Sequence, residues 1–297
     1  MKKLILLFSL LCGSAYAATT NSIDNTVVLP SQGGTGTTNG ARQILTATTN
    51  FYVTTGGSDS NACTLANPCL TINHALTYVQ QNYDLGGQTV NINVADGTYS
   101  TPVSFTTPFV GGIPNLIGDV TTPANCIITS STATPAFYTG NGVVLYISGF
   151  KITNTGTSGD GIQADTYSVV NINGNMTFGA ASGSKMHAIN HAIINITTGY
   201  TDTGNANYHW YASDGGLISD VTGSTTITLT STPTYSVAYA GASRLGEVSL
   251  YGQTFSGSAS GVRYSATYNA MVNTGGNGST YIPGSTAGTT SNGGVYN

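Results

Sequence analysis

Charge is what this sequence has least of. Only 7 Lys and Arg and 11 Asp and Glu occur among 297 residues, 6 % together, against roughly 25 % in an ordinary globular protein. A nucleic-acid partner is excluded, because phosphate backbones are held by a basic stripe and the formal net charge here is −4. Tryptophan occurs once, at Trp210. The 4 cysteines have no partner histidines at metal spacing, which argues against zinc, and neither metal nor cofactor is expected. Long apolar runs are lacking too: Leu4 to Cys12 is too short to span a bilayer. Preceded by Lys2 and Lys3 and followed by Ala15-Tyr16-Ala17, it reads as a secretory leader over residues 1–17. The expectation is an exported chain without stable membrane insertion once the leader is cleaved.

Gly, Ser, Thr and Asn carry the polarity instead. From Ala136 to Gly223 a pattern returns four times, anchored on Ile147, Ile172, Ile196 and Val221 at spacings of 25, 24 and 25 residues. Phe137, Ile162, Met186 and Tyr211 stand ten before the anchors, and Val144, Val169, Ile193 and Ile218 three before them. Ile92 and Leu116 extend the register towards the N-terminus, Leu250 and Val272 towards the C-terminus. A period near 25 with β-branched residues and glycine turns is that of a solenoid whose coils are not stable singly. The expected fold is all-β, a β-helix of about seven to eight coils over 51–274, with hydroxyl and amide ladders along the stack.

Residues 18–50 are rich in Gly, Thr and Asn, and read as a linker or an assembly segment ordered by a partner subunit. Phe51 to Val53 reads as a first strand. Over 71–82, Ile72, Ala75, Leu76 and Val79 fall on one helical face; a helix there would cap the open apolar end of the solenoid. His74 on that helix reads as a surface or capping residue. After loss of Cys12 with the leader, Cys63 and Cys69 are expected to close a disulfide in an oxidising compartment, and Cys126 to be a buried free thiol. Residues 275–297 lose the apolar period and read as a Gly, Ser and Thr tail.

The run GSDSNACTLANPCLTINHA (57–75) and the strand VNINVADGTY (90–99) resemble the start of secreted right-handed parallel β-helix proteins of the pectin-lyase-like superfamily. GGTGTTNGARQIL (33–45) and YIPGSTAGTTSNGGVYN (281–297) are similar to segments of bacteriophage tail-fibre and tailspike proteins. That second resemblance implies a homotrimer whose C-terminal tails wrap together, in a virion tail, whereas the leader implies a cell-surface, periplasmic or secreted location. GDGI (159–162) is similar to polygalacturonase-like members, but their paired-aspartate, His-Gly and Arg-Ile-Lys motifs are missing. The calcium-binding carboxylate cluster and nearby arginine of pectate lyases are missing as well.

Stacked coils lie about 4.8 Å apart, so residues one period apart become neighbours. Asp165 and Asp214 fall in one predicted column two coils apart, roughly 10 Å, near the ~6.5–9.5 Å carboxyl spacing of inverting glycosidases. Asp160 and His209 share a neighbouring column, with His187 and His191 from the coil between. Against catalysis, Asp beside Gly is a common turn residue, and both Asp160 and Asp214 precede glycine. A binding reading rests on Tyr208, His209, Trp210 and Tyr211, the densest aromatic patch. Strand alternation would turn Trp210 outward to stack on a sugar; the alternative packs it under the 198–207 loop. Tyr138, Tyr146 and Tyr251 are further aromatic candidates. The sequence thus supports a non-enzymatic exported or tail-fibre-like protein that binds a surface polysaccharide. Trp210, Tyr208, His187 and His191 are its expected ligand contacts. A polysaccharide hydrolase using Asp165 and Asp214 with His209 or Asp160, and a structural spacer, are the alternatives.

Overall fold

The computed structural model describes residues 42–297; the predicted leader and most of the 18–50 segment lie outside them. Ile44–Asn297 form one unit, a right-handed parallel β-helix of about eight coils built from three parallel sheets of ten, seven and nine strands. One coil shows the logic. Val144–Ser148 lies in sheet one, Lys151–Asn154 in sheet two and Ile162–Ala164 in sheet three, before Val169–Ile172 re-enters sheet one. In this coil the strands alternate, so every second side chain enters a continuous core.

In the central coils the register matches residues 24 or 25 apart, while Phe51 meets Ile92 across 41 residues and Leu116 meets Ile147 across 31. Ile92, Leu116, Ile147, Ile172 and Ile196 form one interior file, as the anchors predicted, and Phe51 joins it at the N-terminal end. In the next coil the match is to Asp220, not to Val221, which is 54 % exposed. All three columns of that fourth copy were therefore assigned on a count one residue too long. Met186 stacks on Trp210 and not on Tyr211. Val144, Val169 and Ile193 continue to Leu217 and form an outward, half-buried file; Ile218 belongs to the neighbouring interior file with Leu145, Val170 and Ile194. Beyond it Val248 pairs with Val272, where Leu250 had been assigned.

Asp220 shows why counting failed. It is 1 % exposed at an interior position, and its carboxylate accepts from Thr222 N and Oγ1, Gly223 N, and Thr225 N and Oγ1. A buried carboxylate is tolerable when it is so hydrogen-bonded, and a search for apolar columns passes over it.

The N-terminal helix runs Ile72–Asn82, with Thr71 as N-cap and its Oγ1 accepting from His74 N. Asp59 clamps this start: its carboxylate accepts from Leu70 N, Thr71 N and Thr71 Oγ1. Cys63 and Cys69 are joined by a disulfide that closes the same loop, and Cys126 is a buried thiol, pushed up to about 12 chiefly by burial. His74 lies beside the two bonded sulfurs, which offer no thiolate to a metal. Amide ladders line the outside of sheet one, where Asn115 Nδ2 donates to Asn91 Oδ1 at 3.0 Å and Asn195 Nδ2 to Asn171 Oδ1 at 2.9 Å. The 275–297 segment, expected to be a tail outside the solenoid, is instead its last coil. Thr289–Ser291 joins sheet three, Val295–Tyr296 joins sheet one, and Ile282 is fully buried.

Candidate functional site

The predicted site residues divide between the interior and one outer face. Sheet three passes to sheet one through a turn that recurs in coil after coil. Asn141-Gly142, Thr166-Tyr167, Asn190-His191, Asp214-Gly215, Arg244-Leu245, Tyr268-Asn269 and Asn292-Gly293 each have two successive positive φ values. Each pair is spanned by an i to i+3 hydrogen bond, such as Ser168 N to Asp165 O. That is the φ signature of a type I′ turn, which favours Asn-Gly. The end turns obey this preference, whereas Thr166-Tyr167 and Arg244-Leu245 place bulky side chains where a left-handed conformation costs about 1–2 kcal/mol per residue.

The turns stack through backbone bonds, as in His191 N to Asp214 O and Gly215 N to Arg244 O, and their side chains make a ridge. Tyr167, 65 % exposed, stacks on His191 with ring centroids 5.2 Å apart and planes at 16°. A Cβ on Gly215 would lie 2.9 Å from the His191 ring, so glycine there gives the imidazole its place. Arg244 grips Asp214 with Nε donating to Oδ1 at 2.5 Å and Nη2 to Oδ2 at 2.7 Å. That pairing holds the Asp214 carboxyl below the usual range, as an anion rather than a proton donor.

Beside the ridge, the outer face of sheet three carries the file Tyr138, Gln163, His187, Tyr211, Gly241. His187 packs on Tyr211 at 4.8 Å, and Tyr211 stacks on Tyr208 at 4.6 Å with planes at 13°. Gly241 makes room for this: a Cβ there would come within 2.4 Å of the Tyr208 ring. Asp165 ties face to ridge, accepting from Tyr138 OH at 3.1 Å and from Asn190 Nδ2 at 2.8 Å. Where sheets two and three meet, a groove of about 460 Å³ runs across several coils, lined by amides and hydroxyls including Asn154, Ser182, Asn205, Asn207, Thr234 and Ser236.

Asp160, Asp165, His187, His191 and Asp214 are thus on one side of the solenoid, with Tyr208. The expected carboxylate pair is not formed. Asp165 is the residue that opens its turn and matches Ser213, whereas Asp214 is one position further on, matching Thr166. Arg244, from the neighbouring coil, occupies Asp214. His187 is bound to Asp160, Nδ1 to Oδ2 at 2.9 Å, and to Ser213, Nε2 to Oγ at 3.2 Å. This order of acid, imidazole and hydroxyl is that of a nucleophilic triad, but Ser213 is fully buried and has no approach for a substrate. The chain of bonds instead fixes the His187 ring against Tyr211.

His209, a catalytic candidate beside Asp160, and Trp210, for which the sequence leaves an outward and a packed position open, are both 0 % exposed. Alternation fails here as it does one coil earlier at Lys185 and Met186, both buried, and both side chains enter the interior, Trp210 against Tyr239 and Phe255. His209 joins a buried polar cluster that no motif announced. Lys185 Nζ donates to Asp202 Oδ1 and to Gly204 O; Tyr235 OH donates to Asp202 Oδ2. His209 Nδ1 is 2.9 Å from Asp202 Oδ2, and its Nε2 is 2.6 Å from Tyr200 OH. Burial holds Lys185 and His209 below their ordinary values. Burial also raises the Asp202 carboxyl, but His209 and Lys185 outweigh it and hold it at about 2. The period did contain the signal, since Lys185 and His209 are one 24-residue coil apart.

No protein-family model matches the chain, and no curated protein or solved structure gives a significant match.

Proposed function

We propose that this is an exported or tail-fibre-like surface protein that binds a glycan along the outer face of sheet three and its turn ridge, without cleaving it. The observation that carries this reading is the Tyr167 and His191 pair: two stacked rings on exposed turns, at φ 60° and 63°, where Gly or Asn would cost less. Backbone strain held in a repeated fold is a pointer to function, and exposed flat rings suit the apolar face of a sugar. Tyr208 and Tyr211 supply a second platform, and the polar groove suits sugar hydroxyls. The arginine clamp on Asp214 speaks against the hydrolase, because it removes one of the two carboxyl groups an inverting mechanism uses.

Incubation of the purified protein with capsule, lipopolysaccharide and plant polysaccharides tests this. Retention of at least one glycan with no new reducing ends is expected; new reducing ends abolished by Asp165→Asn would establish the hydrolase instead, and no retention would leave the spacer. The tail-fibre resemblance carries with it a homotrimer, which light scattering would register as a particle of trimer mass.

A further inference from the structure

The polar cluster inside the solenoid has a chemistry that glycan binding does not use. Lys185 and Asp202 are 1 % and 0 % exposed, enclosed by the rings of Phe178, Tyr200, His209, Tyr235 and Tyr239. Removing two such ions from water is costly, and their attraction offsets that cost only with ideal geometry. In the resting pair Asp202 is the anion; transfer of the Lys185 proton to it relieves the cost of burying two ions and gives the minor form that reacts, a neutral amine against a neutral acid. A desolvated lysine amine is a competent nucleophile, and it already touches the carboxyl group, so the encounter is intramolecular.

The surroundings suit attack at the Asp202 carbonyl carbon. Oδ2 receives the Tyr235 hydroxyl and the His209 Nδ1–H, two fixed donors where a tetrahedral oxyanion would gather charge. Tyr200, 2.6 Å from Nε2, donates to that nitrogen and so keeps the proton on Nδ1. Tyr235 OH also lies 3.3 Å from Lys185 Nζ, linking amine and acid.

We infer that Lys185 and Asp202 condense to an intramolecular amide, an isopeptide cross-link made by the folded chain itself. Nζ attacks Cγ of the protonated carboxyl and the C–N bond forms while Tyr235 and His209 hold the charge on Oδ2. Nζ then passes a proton to Oδ1, the Cγ–Oδ1 bond breaks, and Oδ1 leaves as water. Ammonium plus carboxylate become amide plus water, with no oxidant or further reactant. In the product the remaining N–H donates to Gly204 O and the new carbonyl accepts from Tyr235 and His209. The contacts to Tyr235, His209 and Gly204 O are kept, the long Gly204 N–H contact to Oδ1 is released, and both buried charges are gone.

Trypsin gives a direct test, because Lys151, Lys185 and Arg244 are the only cleavage points between residues 151 and 244. The full chain, denatured, reduced and digested, is expected to yield peptide 152–244 uncut at Lys185 and lighter by one water, with fragments joining Lys185 to Asp202. Tyr235→Phe, which keeps the Lys185 and Asp202 pair but removes an oxyanion donor, should lower the cross-linked fraction at early times after synthesis. Peptides 152–185 and 186–244 at unmodified mass from the parent protein would overturn the inference. So would a water lost elsewhere, as a succinimide at Asp160-Gly161 or Asp214-Gly215, with Lys185 still cleaved.

Discussion

Leu245 holds a φ of 62° with its side chain 70 % exposed, so burial repays little of the cost of that conformation. Leu245→Gly removes the left-handed penalty and is expected to stabilise the protein by about 1 kcal/mol after the entropy of the added glycine is counted, read as a rise in melting temperature. Tyr167 is in the same conformation but stacked on His191, so Tyr167→Gly should leave the fold at least as stable while weakening glycan binding about tenfold, the size of one lost anchor contact. Trp210 gives the opposite result. Buried against Tyr239 and Phe255, it should cost about 3–5 kcal/mol of stability as Trp210→Ala, measured by urea unfolding. An outward indole would cost binding and little stability. The sequence could not distinguish these cases, because two consecutive residues, His209 and Trp210, both turn inward and simple alternation assigns one of them to solvent.

At the scale of elements, the capping helix depends on Asp59. Partial burial raises its carboxyl, but hydrogen bonds from Thr71 and Leu70 prevail and bring it below the usual 3.8. A carboxyl lower in the folded than the unfolded chain contributes fully above the unfolded value, and that contribution is lost as pH falls through the folded one. Urea midpoints measured from about pH 5 to about pH 3 should therefore fall less steeply in Asp59→Asn than in the parent protein. The helix was legible because Ile72, Ala75, Leu76 and Val79 mark one face. The strand files were legible wherever Ile, Val or Leu repeats. Asp220, Lys185 and Asp202 were not, since an apolar period cannot report a buried polar side chain satisfied by neighbours. Arg244 escaped for a related reason: it reaches Asp214 from 30 residues away, across a coil longer than the 24- or 25-residue period of the central coils.

At the scale of the whole molecule, the solenoid is closed at one end by the helix and at the other by the coil from 275 to 297. Low charge and scarce apolar residues made that segment read as a tail, yet Ile282 and the stacked rings of Tyr264 and Tyr296, 3.7 Å apart, complete the core. Removing residues 275–297 should expose the strand edges of Tyr264–Thr267 and Met271–Asn273 and produce aggregation on heating, followed by light scattering. The same stacking gives the outer face its continuity, since a ring in one coil meets a ring in the next without any loop between them. Calorimetric titration of the parent protein and Tyr167→Gly with the polysaccharide retained best tests the glycan surface most directly. Saturable binding by the parent, weakened about tenfold in a variant that melts no lower, is the expected result; equal affinity in the two proteins would contradict it.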